Sequence, residues 1–308
     1  MPVMLPEGTS GRVAVLLLAA AASACSIKKM AVNALGNAMA EAGDTYASDE
    51  DPELVAGAIP FALKTIESLL AEAPEHEGLL YAAASGFTQY AFAFVEQDAD
   101  FVEDADYARA VHQRERAKRL YLRAQRYGMR GLETHFEGFA ARLRADPEAA
   151  LARARPKHVP LLYWTAAAWA AAMSLSVDDA ELTADQFQIE AMMRRALELD
   201  GDFEDGALHD FFISFEGSRP SAAGGSAEEA RAHLERATEI SGGRRAFPLV
   251  SYAEAVSVSE QNRSEFEELL ERALAVDTDA LPRARLANLV AQKRARWLLE
   301  RADELFIE

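Results

Sequence analysis

The sequence predicts an all-α protein built as a solenoid of repeated helical hairpins. The chain is rich in Ala, Leu, Glu and Arg, which have the strongest helix propensities. Alternating runs of β-branched residues and Asn-Gly hairpin turns are missing, which argues against sheet. One type of helix ending recurs in the second half of the chain, and such recurrence is typical of stacked repeats.

The N-terminus predicts an export signal that ends at a lipid-modified cysteine. A short apolar run from Val13 to Ala22 fits the core of a signal peptide and is shorter than the roughly 20 residues that span a membrane. Three small residues then precede Cys25, as in a bacterial lipobox. The pattern departs from the usual one in two places, since Ala22 stands where leucine is common and the positive charge of Arg12 is offset by Glu7.

Cys25 is the only cysteine, so an exported chain has no internal disulfide for it to form. We expect cleavage to remove residues 1–24, and we expect at least two acyl chains on Cys25, because a single chain anchors weakly. Ser26 follows the cysteine, which favours the outer membrane, facing the periplasm. The alternatives are a stray cysteine behind an ordinary secretory signal or within an apolar helix. Residues 25–308 then form a single helical repeat domain.

The charge balance limits the kinds of partner. The formal net charge is −18. A surface this acidic repels nucleic acid and anionic headgroups. We therefore expect no nucleic-acid partner, and contact with a membrane only through the lipid anchor.

Periodicity and helix-breaking residues predict a succession of helices up to residue 160. The first covers Ile27 to Met39, with apolar residues on one face. The second begins at Pro52, stops at Pro74 and contains Pro60, which should kink or split it. The third covers Glu77 to Glu96 and is broken by an acidic segment, Gln97 to Asp106. The fourth covers Tyr107 to Tyr127 and is ended by Gly128 to Gly131. Two shorter helices follow, Leu132 to Arg144 and Pro147 to Ala154.

The helix from Tyr107 to Tyr127 carries a strip of basic residues. We interpret the strip as a solvated face with local ion pairs, because charged helix faces usually have that role. A docking face for an acidic partner is the alternative.

The segment from Leu161 to Leu175, LLYWTAAAWAAAMSL, is apolar on all sides. Such a helix is either buried all round or lines an apolar cavity. Tyr163, Trp164 and Trp169 are its largest side chains, and the two tryptophans point to different faces. Core packing is the simpler interpretation, and a ligand tunnel or pore lined by these three side chains is the functional one.

Three helix endings share one pattern: RALELDG at 195–201, RATEISG at 236–242 and RALAVDT at 272–278. A second helix follows each of them, at 205–215, 247–260 and 283–305. The endings resemble the close of a tetratricopeptide repeat, although the intervals are irregular around the ideal period of about 34 residues. Helix pairs of this kind bury their apolar faces by stacking.

Taken together, these features resemble the T component associated with tripartite ATP-independent periplasmic (TRAP) transporters. The resemblance rests on the lipobox followed by SIKKMAVNAL at 26–35, on LLYWTAAAW at 161–169 and on the degenerate repeats, and it extends from Cys25 to about Leu305. It implies a periplasmic lipoprotein that associates with a DctP-type substrate-binding protein. It also implies homotrimers with a pore or cleft in each protomer for a small hydrophobic ligand. Among functional positions, only Cys25 carries over from the family.

No motif points to catalysis. The six histidines do not form H-E-x-x-H, and neither a phosphate-binding G-x-x-x-x-G-K-[ST] loop nor a G-x-S-x-G elbow occurs. We therefore expect no catalytic residue, metal or cofactor, and an enzyme would need a site assembled from distant helices. The other alternative is a scaffold lipoprotein for outer-membrane assembly that binds no small ligand.

Overall fold

The computed structural model describes residues 32–39, 43–176 and 179–307. Within these ranges every regular element is a helix and no strand occurs, which confirms the all-α prediction. Cys25, the predicted signal peptide and the first part of the helix predicted from Ile27 lie outside the described residues.

The helices are numbered in chain order, with residues 32–39 as α1. The others are α2 (Gly43–Ala47), α3 (Pro52–Glu72), α4 (Glu77–Ala91), α5 (Gln97–Val102), α6 (Tyr107–His135), α7 (Phe139–Ala145), α8 (Pro147–Leu151), α9 (Val159–Ser174), α10 (Ala180–Thr183), α11 (Gln186–Leu199), α12 (Phe203–Gly217), α13 (Ala227–Ser241), α14 (Phe247–Tyr252), α15 (Arg263–Leu274), α16 (Arg285–Glu300) and α17 (Ala302–Leu305).

Helix α3 is continuous, so the predicted split at Pro60 is wrong. Asp51 caps the helix by accepting the backbone N–H groups of Glu53 and Leu54, both at 3.0 Å. By length and composition α3 is the one described helix that could cross a membrane. The buried side chains of α3 lie on both sides of Pro60 and pack against α4 in the core, which supports the helix across the proline. These side chains are Val55, Ile59, Leu63, Ile66 and Leu70.

The acidic segment does not end the third helix at Gln97. A π-helical turn, Phe92–Glu96, joins α4 directly to α5, which runs to Val102. The acidic side chains are tolerated because α6 neutralises them. Arg109 pairs with Asp98 at 2.9 Å, and Arg114 pairs with Asp100 at 2.9 Å. The basic strip of α6 therefore forms ion pairs mainly with neighbouring helices rather than along its own face.

Helix α6 passes through both glycines that were expected to end it. A Cβ atom on Gly128 would lie 2.0 Å from Thr165 Oγ1, and one on Gly131 would lie 2.8 Å from Leu161 Cδ2. The two glycines therefore let α9 pack closely on α6. The chain turns instead at Gly138, whose φ of +67° divides the helix predicted from Leu132 to Arg144 into the end of α6 and α7.

Helices that follow one another in the chain pack on one another, as hairpin repeats would. Helix α4 contacts α3 and α6, α9 contacts α6 and α11, and α12 contacts α13. The C-terminal α16 also contacts α2 and α3. In an open solenoid each repeat contacts only its neighbours. The repeat solenoid therefore remains a prediction, because here the two ends of the described chain meet.

Arg294 of α16 is central to this contact between the ends. Its guanidinium pairs with Asp100 of α5 and with Glu254, both at 2.7 Å. Glu254 belongs to a second π-helical turn, Ala253–Ser257, which follows α14. The ring of Trp297 lies 5.7 Å from that of Phe101 beside this bridge. Arg294 thus joins the N-terminal and C-terminal halves.

Candidate functional site

The structure separates the three large aromatic side chains of α9. Trp169 is only 7% exposed and belongs to the central apolar core. Tyr163 and Trp164 are half-buried, with ring centroids 4.9 Å apart. Phe203, at the start of α12, lies 5.3 Å from Tyr163. We call Tyr163, Trp164 and Phe203 the aromatic edge.

A strained turn begins α12 directly beside the aromatic edge. Glu204, Asp205 and Gly206 have φ angles of 44°, 57° and 96°, all in the left-handed region. For residues other than glycine, such backbone costs about 1–3 kcal/mol each and persists where the surroundings fix it. Here Arg283 binds both carboxylate oxygens of Asp205, at 2.5 and 2.7 Å, and Arg245 donates to the Asp205 carbonyl oxygen at 3.3 Å.

Carboxylates surround the aromatic edge. Trp164 Nε1–H donates to Glu204 Oε1 at 3.3 Å. Glu204 is an exposed residue, and partial desolvation of its carboxyl beside Trp164 raises its pKa. Burial likewise raises the pKa of Asp210, which pairs with Arg245, to about 6. Desolvation, aided by the negative charges of Glu204 and Asp210, raises the pKa of Tyr163.

One oxygen of Asp210 has no partner. Its Oδ1 is buried and accepts no hydrogen bond from the described chain. A buried acceptor left in this state is costly, so a water molecule or a ligand hydroxyl group would stabilise it. An apolar wall with a few polar groups at its rim is the usual composition of a small-molecule site. No local sequence pattern marks Glu204, Asp210 and Arg245, because all three lie far from Trp164 in the chain.

Two concavities lie elsewhere, near the start of α9. The larger has a volume of about 1260 Å³ and is formed by α1, the α3–α4 connection and the start of α9, including Asn33, His76 and Leu161. The smaller has a volume of about 360 Å³ and is lined by His135 and His158, among others. Neither concavity is lined by Tyr163, Trp164 or Trp169, so a pore along these side chains remains a prediction. Across residues 32–39, 43–176 and 179–307, no group of three His, Cys, Asp or Glu side chains is arranged to hold a metal ion.

Comparison with known proteins assigns the chain to a family. The family described as TRAP transporter T-component matches residues 48–306. The chain belongs to this family. It is also 29% identical to an uncharacterized protein of Treponema pallidum (strain Nichols), over 92% of this chain and 94% of that relative. The matched range includes the aromatic edge and the Arg294 bridge, and it begins after Cys25.

The T-component structure predicts a pH-dependent tryptophan signal at the aromatic edge. When Glu204 loses its proton, the hydrogen bond that Trp164 donates to it acquires a charged acceptor, and the fluorescence emission of the indole should change. Because water reaches Glu204, we expect a midpoint between the ordinary 4.5 and about 7. The measurement is fluorescence against pH, with Glu204→Gln as the control that removes the titration. An identical curve for the variant would show that another group is responsible.

Proposed function

We propose that this T-component is a periplasmic lipoprotein that binds a DctP-type substrate-binding protein and passes a small hydrophobic ligand along the aromatic edge. Membership of the TRAP transporter T-component family, across residues 48–306, is the observation that carries the proposal. Acyl chains on Cys25 would hold it to a membrane, most favourably the outer membrane. Homotrimers, which the family resemblance implies, belong to the same proposal.

The geometry supports a ligand position against Tyr163, Trp164 and Phe203. The first two are half-buried, so they offer apolar surface that solvent still reaches. Trp169 instead packs within the core. The carboxyl of Glu204 beside Trp164 and the unpartnered oxygen of Asp210 would orient a polar end of the ligand. The Arg283–Asp205 pair stabilises the strained turn that places Glu204 there.

Isolation of the protein from native membranes tests both parts of the proposal. We expect acylated protein, tagged after Glu308, to recover a DctP-type binding protein that mass spectrometry identifies. Solvent extraction of the same sample should release an apolar small molecule. Trp164→Ala should lose most of this molecule while keeping the partner, because it removes only the ligand wall.

Cys25→Ser is the matched control for the anchor. It should leave the protein in the soluble periplasmic fraction, with partner binding intact. Recovery of outer-membrane assembly proteins alone, with no small molecule, would contradict the transporter role and favour the scaffold alternative.

A further inference from the structure

A basic pocket lies where the end of α6 meets the start of α9. This is the concavity of about 360 Å³, and its polar lining is cationic or imidazole: Arg153, Arg155, Lys157, His135 and His158. None of the described residues that line it is acidic. In a chain with a net charge of −18, a concavity with this lining stands apart from the rest of the surface.

The three cations have no counter-charge of their own. Within the described part of the chain, Arg153, Arg155 and Lys157 form no ion pair, whereas the half-buried Arg294 forms two. They fall at alternate positions in the exposed turn that precedes α9. Charges this close repel one another, and an anion between them would relieve that repulsion.

The backbone adds to the positive potential of this pocket. Pro156–His158 forms a short 3₁₀ turn that leads directly into the 16-residue helix α9. The positive end of the α9 macrodipole therefore points at the pocket, and helix N-termini of this kind bind anions.

The imidazole of His158 is fixed in the wall of the pocket. The side chain is only 4% exposed, and its Nδ1 accepts the backbone N–H of Arg155 at 3.0 Å. In the neutral ring the proton therefore lies on Nε2, which can donate to an anion. The ring packs 4.8 Å from that of His135, whose Nε2 lies 2.9 Å from Glu77 Oε1. Glu77 thus lies against His135 and does not line this pocket.

We propose that this pocket binds a phosphate group, carried either by a soluble phosphate ester or by a lipid headgroup. Guanidinium forks and ammonium groups are the side-chain donors that proteins use to bind phosphate oxygens. Lys157 also lines the larger concavity beside it, which leaves room for the organic group attached to the phosphate. The proposal goes beyond the transporter role and does not rest on it.

Titration calorimetry on the full chain tests the site with two probes. One is glycerol 3-phosphate, and the other is dihexanoyl phosphatidylglycerol below its micelle concentration, so that the anchor does not contribute. Arg155→Gln combined with Lys157→Gln should weaken binding at least about tenfold, because the double variant removes two cationic donors of charge-assisted hydrogen bonds to the phosphate. The matched control is Arg142→Gln with Arg144→Gln on α7, which changes the net charge equally but lies outside the pocket lining.

Each outcome decides the matter. Binding of glycerol 3-phosphate alone, lost in the pocket variant, identifies a soluble ester. Binding of the phosphatidylglycerol, lost in the same variant, identifies a headgroup. Equal weakening of binding in the pocket variant and in the α7 control variant would show that only the overall charge matters, and would overturn the proposed site. If neither probe binds, or if sulfate binds equally tightly, the assignment to phosphate is overturned.

Discussion

Gly128→Ala is expected to destabilise the protein by about 2–3 kcal/mol, the upper part of the range for overpacking a well-packed core. The added Cβ would lie 2.0 Å from Thr165 Oγ1, 2.9 Å from its Cβ and 3.2 Å from its Cα. Rotating the hydroxyl away cannot relieve the last two contacts, and Thr165 is fully buried. Helices α6 and α9 would have to move apart. Urea unfolding followed by circular dichroism measures the loss.

Gly57→Ala is the matched control, since it makes the same change in an exposed part of a helix. A Cβ on Gly57 meets nothing within 4 Å. This variant should gain about 0.5–1 kcal/mol, because alanine is the better helix former. Combining Gly128→Ala with Thr165→Gly should recover part of the loss by removing the side chain that clashes. A gain in stability for Gly128→Ala alone would show that the two helices are not in close contact.

Gly128 and Gly138 show why helix type was predictable from the sequence and helix ends were not. Periodicity and composition report the apolar face of a helix, and they indicated α3, α4, α6 and α9. A glycine has the same appearance in a sequence whether it ends a helix or admits a neighbour. Gly128 admits a neighbouring helix, while Gly138, with its positive φ, lies in the turn that separates α6 from α7. The partner helix decides between the two, and the sequence does not show which helix that is.

The sequence likewise predicted part of the candidate site, the aromatic side chain of Trp164, and not the polar groups around it. Trp164 was singled out because it lies in an all-apolar helix, and the structure places it at an edge of α9 rather than in the core. Its polar surroundings could not be predicted. Glu204 comes to α9 from the start of α12, and Arg245 comes from the connection between α13 and α14. The left-handed turn at Glu204 contains two non-glycine residues, so no turn motif marks it.

Arg294→Met is expected to cost about 2–3 kcal/mol of stability. The substitution keeps much of the side-chain volume and leaves Glu254 without its partner. Breaking a fully buried pair costs about 3–5 kcal/mol, and the expected loss is smaller because Arg114 still faces Asp100. Arg272→Met is the control, since that arginine is exposed and its nearest acidic partner, Glu268, is 3.8 Å away. It should change the free energy of unfolding by no more than about 0.5 kcal/mol.

The loss in Arg294→Met should increase with pH, because Glu96 lies beside the same bridge. Desolvation raises the pKa of Glu96 to about 7, and the positive charge of Arg294 holds it from rising further. A raised carboxyl pKa means that the folded state retains its proton longer than the unfolded chain, so stability falls as pH rises from about 4.5 through 7. Without Arg294 the pKa of Glu96 rises again, and that fall extends to higher pH.

Unfolding of the wild type and Arg294→Met at pH 5 and pH 8 measures this difference. A deficit that is larger at pH 8 would show that Arg294 compensates the acidic groups where α16 meets α5. A deficit independent of pH would show that Glu96 does not titrate against Arg294, and would leave the loss to the ion pairs with Asp100 and Glu254 and to packing against Trp297. If the deficit is larger at pH 8, the contact between the two ends of the chain depends on charge. Arg294 then contributes less to the free energy of unfolding at acidic pH, where Glu96 is protonated.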